Sequence, residues 1–250
     1  MPKTAKSQSN MSHTQSSKSR SRDNPNFPYL DADVFFQFPP VENADDGLVA
    51  TGGNLSPGML HSAYLQGIFP WFNEDSPILW WSPDPRFVLL PAELHIPESL
   101  RKVLNKNMFT YTMDTRFEDV IKNCADAKRP EQNGTWITYD MIDAYCKLHE
   151  TGLAHSVEAW CDGKLAGGFY GVLIGSVFFG ESMFTIEPNA SKAAFCHFVR
   201  KFESAGGKMI DSQIYTDHIA RFGGRNISRN AFLRYEKEYL PLPLTEKITL

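Results

Sequence analysis

The stretch AHSVEAWCDGKLAGGFYGVLIGSVFFGESMF, residues 154–184, decides the fold. It contains three runs rich in aromatic and β-branched residues, AHSVEAW, LAGGFYGVLI and GSVFFGESMF, and such runs are typical of β-strands. The segment CDGK separates the first two runs and a glycine opens the third, so tight turns are expected between them. The stretch therefore predicts three consecutive strands that form a β-meander.

A helix and a fourth strand are predicted after the meander. NASKAAFCHFVRKFES (189–204) begins with capping residues and is followed by two glycines, which indicates a helix. The next run, KMIDSQI (208–214), is predicted to be a strand. Because a strand reached through a helix crossover can pair in parallel with its predecessor, this order fits an acetyltransferase-like (GNAT-like) sheet. Further helices are predicted at about 97–106, 115–126, 138–150, 215–224 and 228–240.

The N-terminal third of the chain differs in texture from the rest. Residues 1–26 contain no Leu, Ile, Val or Phe and carry a net charge of +4, so we expect a disordered basic tail. Residues 27–84 are dense in Pro, Gly, Asp and aromatic residues, with a helix predicted from Pro57. The expected fold is α+β, with a small N-terminal α/β domain (27–84) packed on a GNAT-like catalytic domain (85–240). Residues 241–250 are expected to form a C-terminal extension.

Composition excludes several classes of protein. The 250 residues are 42% hydrophobic and 22% charged, as in an ordinary globular chain. No apolar run approaches the roughly 20 residues that span a bilayer, and the chain does not open on a secretory signal, so no membrane partner is expected. Four scattered cysteines form no CxxC motif, which indicates reduced thiols in a cytoplasmic protein. Outside the tail the net charge is −8, so a polyanion would need a local basic patch.

Asp211 and Gln213 alternate along the last predicted strand. Alternate residues of a strand share a face, so the two side chains are expected to point the same way. A solvated sheet face would explain them without any function. A strand inside a sheet, however, offers no water to two polar groups, which then need partners or a purpose. Glu181, between apolar residues of the third strand, has two similar interpretations: a solvated strand end, or a carboxylate with a raised pKa.

Aromatic residues crowd two proline-rich segments, GIFPWF (67–72) and ILWWSPDPR (78–86). They would cement a small domain to a larger one, or form a platform on which a base stacks. A nearby predicted helix carries Arg101, Lys102 and Lys106, which form either a solvated face or a set of contacts to phosphates. The chain lacks the HExxH, P-loop, GxGxxG and GxSxG motifs and a coenzyme A loop, so no metal and no cofactor are expected.

Ten segments in register carry a resemblance to a known family: GLVATGGNLSPGML (47–60), AYLQGIFPWF (63–72), PILWWSPDPR (77–86), GTWIT (134–138), AYCKLHETGLAHSVE (144–158), GGFYGV (167–172), GESMF (180–184), NASKAAF (189–195), GGKMIDSQI (206–214) and DHIARFGGRNISR (217–229). Together they resemble the leucyl/phenylalanyl-tRNA–protein transferases of bacteria. The resemblance implies an enzyme that moves Leu or Phe, and less readily Met, from aminoacyl-tRNA to the α-amine of proteins beginning with Arg or Lys. The product would be marked for degradation by the N-degron pathway. Because the acyl donor would be a tRNA ester, the resemblance also explains the missing coenzyme A loop.

The resemblance further implies roles for individual residues. Gln213 would accept a hydrogen bond from the attacking amine, Asp211 would orient the Gln amide, and Glu181 would lie near the mouth of an apolar pocket. That pocket would be lined by Phe169, Met183, Phe195, Phe198 and Phe202, although each phenylalanine alone could equally be core packing. Trp71 and Trp136 would flank the terminal adenosine of the tRNA. Either Glu181 or Asp211, or both, could favour a basic first residue on the acceptor.

Two positions depart from the family pattern, and two other functions remain open. Ile186 replaces an Arg of many relatives, and Phe169 replaces a common Met, which would narrow the pocket and favour Leu over Phe. The first alternative function is a coenzyme A-dependent N-acetyltransferase on the same fold. The second is a non-catalytic tRNA-binding module. The expected partners are Leu-tRNA, Phe-tRNA and the acceptor proteins, and a monomer is expected.

Overall fold

The computed structural model describes residues 27–127 and 136–250, so the predicted basic tail (1–26) lies outside the described residues. The helices of the described residues are α1 Pro57–Tyr64, α2 Glu98–Asn105, α3 Phe117–Asp126, α4 Tyr139–Glu150, α5 Ala190–Ser204, α6 Asp217–Ala220 and α7 Arg229–Tyr239. Their strands are β1 Leu48–Thr51, β2 Phe69–Pro70, β3 Leu79–Trp81, β4 Arg86–Leu89, β5 Thr110–Met113, β6 Ala154–Cys161, β7 Lys164–Ile174, β8 Val177–Thr185, β9 Met209–Asp211 and β10 Arg225–Ile227.

The larger sheet has seven strands in the order β10-β4-β9-β8-β7-β6-β5. Strands β6, β7 and β8 form the predicted antiparallel meander, and α5 then crosses over so that β9 pairs in parallel with β8. The α+β class and the acetyltransferase-like order of these elements are therefore confirmed. The predicted strand 208–214 is shorter than expected, because β9 ends at Asp211. The predicted helix 215–224 likewise contains only the four residues of α6.

Each face of the larger sheet is covered by different helices. Phe169 and Phe178 point to the face covered by α5, where they pack among the phenylalanines of that helix. Their strand neighbours Tyr170 and Phe179 point to the opposite face, which is covered by α1, α3 and α4. This is the alternation that a strand buried on both sides requires. The meander thus supplies two apolar surfaces, one to each helical layer.

A smaller three-stranded sheet, in the order β1-β3-β2, lies in the N-terminal part of the chain. Helix α1 packs against α4, and the buried residues Leu60 and Tyr64 of α1 belong to the same core cluster as Phe179 of β8. The N-terminal elements therefore share a hydrophobic core with one face of the larger sheet. The division into domains at residues 84 and 240 stays a prediction.

Candidate active site

A cavity of about 390 Å³ lies between the N-terminal elements and the larger sheet. Strand β8 runs on to Thr185, but its pairing with β9 stops at Phe179 and Asp211. Beyond the last paired residues of β8 and β9, residues from both faces of the sheet border one space, and Phe169 and Tyr170 both line the cavity. The volume lies within the range of pockets that hold small ligands. The sheet itself therefore creates the cavity, where one strand outruns its neighbour.

One part of the cavity wall is apolar. Phe169, Met183 and Phe195, which the family resemblance assigns to a pocket for the donor side chain, all line it. The structure does not bring Phe198 and Phe202 to the wall: both are fully buried one layer behind it. Phe198 packs on Phe169, with ring centroids 5.4 Å apart, and Phe202 stacks on Phe198 at 5.5 Å. The helical spacing places Phe195, Phe198 and Phe202 on one face of α5. It does not show which of the three side chains reaches the cavity.

The polar part of the wall is centred on Glu181 of β8. Its Oε1 accepts hydrogen bonds from the hydroxyl of Tyr64 at 2.7 Å and from Nε2 of Gln213 at 3.3 Å. Its Oε2 accepts one from the hydroxyl of Tyr145 at 3.2 Å, and the two tyrosine hydroxyls are hydrogen-bonded to each other. Burial raises the pKa of Glu181 to about 7, and the nearby Asp211 adds to the rise, while the hydroxyls oppose it. Glu181 is therefore a carboxyl group that titrates near neutral pH.

Asp211 lies beneath the cavity and is fully buried. Arg86 of β4 forms a two-point ion pair with it, with Nε 2.9 Å from Oδ1 and Nη2 2.6 Å from Oδ2. Arg86 also donates to the carbonyl of Gly67 at 3.1 Å, and its guanidinium lies 4.3 Å from the ring centroid of Phe232. Both charges of the pair are thus removed from water but hydrogen-bonded, the condition under which a buried ion pair is tolerated.

The geometry of Gln213 differs from the sequence prediction. Gln213 does not continue the strand: its φ is 55°, in the left-handed region, so the shared strand face predicted for Asp211 and Gln213 is wrong. Oδ1 of Asp211 accepts from the backbone N–H of Gln213 at 3.0 Å, while the side-chain amide of Gln213 donates to Glu181. Asp211 therefore holds the backbone turn rather than the amide. The turn still places Gln213 in the cavity wall, in contact with the polar cluster.

The tryptophans and the basic group lie in different places. Trp71 and Trp136 both line the cavity, and Trp71 keeps 38% of its surface exposed. Arg101, Lys102 and Lys106 are exposed on or next to α2, and none of them belongs to the cavity wall. The structure thus brings the tryptophans to the site and leaves the basic group on a neighbouring surface.

Three site residues were missed by sequence reasoning: Arg86, Tyr64 and Tyr145. Arg86 could have been found from charge, because an Asp buried inside a sheet needs a cation nearby. The two tyrosines carry no local signal, since they meet Glu181 from helices that are remote in sequence.

Other kinds of site were also sought. Over residues 27–127 and 136–250, no group of three or more His, Cys, Asp and Glu side chains is arranged to hold a metal ion. Over the same ranges, no helix is both long and apolar enough to cross a membrane. Cys124, Cys146, Cys161 and Cys196 form no disulfide bonds.

Comparison with known families decides the assignment. Residues 88–237 match the family described as leucyl/phenylalanyl-tRNA protein transferase, and residues 53–84 match the N-terminal domain of the same transferase. The chain belongs to this family. The match begins inside β4 and ends inside α7, so it includes the other six strands of the larger sheet in full. Membership of the leucyl/phenylalanyl-tRNA protein transferases confirms the resemblance and the predicted enzyme class.

Individual relatives agree with this assignment. The leucyl/phenylalanyl-tRNA–protein transferase of Laribacter hongkongensis is 54% identical over 208 residues, which are 82% of this chain and 88% of the relative. The transferase of Oleidesulfovibrio alaskensis is 52% identical over 214 residues, 83% of this chain and 86% of the relative. Among solved structures, a GCN5-related N-acetyltransferase from Kribbella flavida overlaps 69% of this chain and 62% of its own, at 14% identity and a TM-score of 0.35. The assignment of aminoacyl transfer from tRNA to a protein is therefore supported by the match to the transferase family and not by the solved structure.

Proposed function

We propose that the chain transfers Leu or Phe, and less readily Met, from aminoacyl-tRNA to the α-amine of proteins that begin with Arg or Lys. The product would carry an N-terminal residue that marks it for degradation, and the reaction would take place in the cytoplasm, where charged tRNA is found. The observation that carries the proposal is the cavity, which joins an apolar wall to the hydrogen-bonded pair Gln213 and Glu181. The first part suits the donor side chain, and the second suits a cationic amine.

The apolar wall accounts for the choice of donor. Phe169, Met183 and Phe195 offer a Leu or Phe side chain a surface without hydrogen-bonding demands. A pocket of this kind selects by size and shape, and a single misplaced methyl group costs about 1–3 kcal/mol. Discrimination against β-branched amino acids is therefore expected to be partial. Trp71 and Trp136, in the same wall, are suited to stack on the terminal adenosine of the donor.

Gln213 is the group proposed to position the attacking nitrogen. Its Nε2 donates a hydrogen bond to Glu181. In this orientation its side-chain oxygen Oε1 can accept a hydrogen bond from the amine of the acceptor. The nitrogen attacks the ester carbonyl, the ester C–O bond breaks, and the ribose hydroxyl leaves with a proton. Since an aminoacyl ester is already activated, the step requires no ATP. An amide is too weak a base to take the proton of the amine, so Gln213 acts by orientation.

The two carboxylates Asp211 and Glu181 have different proposed roles. The charge of Asp211 is compensated by the buried Arg86, so Asp211 is a positioning residue that acts through the backbone of Gln213. Glu181 is the carboxylate left to attract a basic acceptor. With a pKa of about 7, Glu181 is also the titratable group in contact with the side-chain amide of Gln213, and it can receive the proton of the amine.

A transfer assay tests the proposal. Phe-tRNA labelled in Phe is incubated with the protein and with peptides that differ only in beginning with Arg or Ala. Label is expected in the Arg peptide alone, and Gln213→Ala is expected to lower the rate about 100-fold, because the attacking nitrogen loses the group that orients it. Equal labelling of both peptides would overturn the acceptor assignment. Acetylation of the Arg peptide from acetyl-CoA would instead support the acetyltransferase alternative.

A further inference from the structure

A second cavity, of about 320 Å³, lies beside the first, and His218 lines both. Its wall is built from the beginning of α2, the beginning of α5 and the residues of α6. Ser99, Asn189, Lys192, Asp217, His218 and Arg221 contribute the polar side chains of this wall. A ligand seated in the first cavity can therefore extend into the second without leaving the protein surface.

The wall of the second cavity carries a net positive charge. Lys192 is half-buried and Arg221 is exposed, and neither side chain forms an ion pair with a carboxylate of the described residues. The carboxylate in the wall, that of Asp217, already accepts a hydrogen bond from the hydroxyl of Tyr215 at 2.7 Å. Two cations thus share the wall with one carboxylate, which leaves a net charge of +1, and an anion is the ligand that such a wall attracts.

Two polar groups in the wall have unused hydrogen-bonding capacity. Nε2 of His218 is buried and has no hydrogen-bond partner, which is rare for a buried polar atom. Burial, together with Lys192 and Arg221, lowers the pKa of His218 to about 4, so the ring is neutral and either nitrogen can carry the proton. Asn189 stands at the N-cap of α5, but its side chain makes no capping bond. Both groups can therefore bind an oxygen-rich ligand.

We propose that the second cavity binds a phosphodiester of the donor tRNA, next to its aminoacylated terminal nucleoside, through Lys192, Arg221 and the unpaired nitrogen of His218. This inference rests on the proposed function, which places the aminoacyl group and the terminal adenosine in the first cavity. A backbone that leaves the second cavity along α2 meets the exposed cations Arg101 and Lys102. The two features together form a continuous path for an RNA strand.

The acceptor protein is the weaker candidate for this cavity. An acceptor that begins with Arg or Lys carries at least two positive charges at its first residue, and Lys192 and Arg221 repel them. The donor carries one negative charge per nucleotide, which the same two side chains attract. Charge therefore favours the donor in the second cavity and the acceptor beside Glu181.

A ladder of donors tests the proposal. Phenylalanyl-adenosine has no phosphodiester, phenylalanyl-CpA has one, and Phe-tRNA has all of them. Lys192→Ala and Arg221→Ala are each expected to raise KM for Phe-tRNA on the order of 5-fold, with kcat little changed, because each removes one partly solvated phosphate contact. KM for phenylalanyl-adenosine is expected to stay as in the wild type. The slope of log KM against log salt is expected to fall by about 0.7 in each variant.

Controls separate charge from structure. Lys192→Arg is expected to retain the wild-type KM for Phe-tRNA. Arg200 is an exposed cation further along α5, and Arg200→Ala is expected to leave KM unchanged for both Phe-tRNA and phenylalanyl-adenosine. An equal rise in KM for Phe-tRNA and phenylalanyl-adenosine would overturn the proposal. So would an unchanged KM for Phe-tRNA, or a rise confined to the acceptor peptide.

Equilibrium binding of uncharged tRNA distinguishes this inference from the proposed function. If the wild type fails to transfer but its affinity for tRNA falls about 5-fold in Lys192→Ala and Arg221→Ala, the phosphate site stands and the transfer reaction is wrong. If the wild type transfers normally and both variants bind tRNA as tightly as the wild type, the transfer reaction stands and the phosphate site is wrong.

Discussion

At the scale of single residues, Glu181 combines burial with two hydrogen-bond donors from distant helices. Tyr64 and Tyr145 come from α1 and α4 and hold one carboxylate oxygen each. Burial favours the protonated carboxyl, whereas hydrogen bonds from the hydroxyls favour the charged form, and the balance sets the pKa of Glu181 at about 7. Glu181 therefore changes charge in the pH range in which an α-amine, with an ordinary pKa of about 7.7–8.0, also begins to lose its proton.

Tyr145→Phe is predicted to move the pH profile of the reaction. The change removes a hydrogen bond that favours ionised Glu181, so the pKa of Glu181 rises further. In the wild type, kcat/KM for an Arg peptide is expected to rise with pH through about 7, and in Tyr145→Phe that rise is expected at higher pH. The titration of the acceptor amine is common to both proteins and cancels in the comparison. Tyr111→Phe, a tyrosine that stacks on His197 outside the cavity, should keep the wild-type profile.

Stability measurements give a second test of the same pKa. The pKa of folded Glu181 lies above the value of about 4.3 for an unfolded Glu, so the unfolded chain releases this proton first as pH rises. The free energy of unfolding relative to Glu181→Gln is therefore expected to be highest below about pH 4.3 and to fall until about pH 7. Urea unfolding of both proteins at several pH values measures the difference. A difference that does not vary with pH would mean that Glu181 titrates normally.

Phe169→Met is predicted to change the preference between donors. Phe169 fills the cavity wall between Phe178, Phe195 and Phe198, and a flexible Met in its place would leave more room for a large donor side chain. The ratio of kcat/KM for Phe-tRNA to that for Leu-tRNA is expected to rise about 3-fold or more. Phe202→Met is the matched control, because Phe202 lies behind the wall and its substitution should leave the ratio unchanged. An equal or lower use of Phe in Phe169→Met would contradict the prediction.

The residues of the site were predictable to different degrees for a physical reason. Glu181, Asp211 and Gln213 are polar residues in apolar runs, and a polar group in a predicted sheet attracts notice because its burial has a cost. Tyr64 and Tyr145 are amphipathic residues whose hydroxyls become functional only through contacts between remote helices. Arg86 becomes visible only after Asp211 is known to be buried.

At the scale of secondary structure, the early end of β9 shapes the site. Asp211 is the last residue of the strand, and Gln213 adopts a φ of 55°, a conformation that costs a residue other than glycine about 1–3 kcal/mol. Two hydrogen bonds hold the turn. The backbone N–H of Gln213 donates to the carboxylate of Asp211, and the backbone N–H of Phe87 donates to the carbonyl of Gln213 at 3.1 Å. The ion pair of Asp211 with Arg86 therefore fixes both the strand end and the direction of Gln213.

Gln213→Gly is predicted to separate activity from stability. Glycine accepts a positive φ without strain, so the free energy of unfolding is expected to stay within about 1 kcal/mol of the wild type or to increase. Transfer is expected to fall about 100-fold, because the amide that orients the attacking nitrogen is lost. Gln213→Val, whose branched side chain is disfavoured at this φ, should lose activity and about 1–3 kcal/mol of stability. A Gln213→Gly protein with near-normal transfer would show that the amide does not position the amine.

The strands were predictable where length and alternation reinforced each other. The meander strands β6, β7 and β8 have 8 to 11 residues, and turn residues separate them, so the sequence pattern is strong. Strands β4 and β10 have only four and three residues and join the sheet through pairing with remote segments. The turn at Gln213 was not predicted, because its backbone angle depends on a buried ion pair with a remote residue. The residue types next to Gln213 do not indicate that angle.

At the scale of the whole molecule, charge is distributed unevenly. The chain outside residues 1–26 has a net charge of −8, and its proposed RNA path is confined to α2 and to the second cavity. The tail alone has a net charge of +4. A net negative body repels tRNA at long range, so the segment of opposite sign is expected to assist the encounter.

Deletion of residues 1–26 is predicted to weaken the capture of tRNA in a salt-dependent way. Charges outside direct contact act over about a Debye length, so KM for Phe-tRNA is expected to rise about 3-fold at low ionic strength. At several times physiological salt the deletion is expected to have no effect, and kcat is expected to stay as in the wild type at all salt concentrations. The control is an undeleted variant with Gln in place of Lys3, Lys6, Lys18, Arg20 and Arg22. If charge is the cause, this variant should show the same rise in KM as the deletion. If the deletion raises KM but the Gln variant does not, the tail contributes through something other than its charge. If neither variant changes KM at low salt, the path through the second cavity and α2 is sufficient on its own.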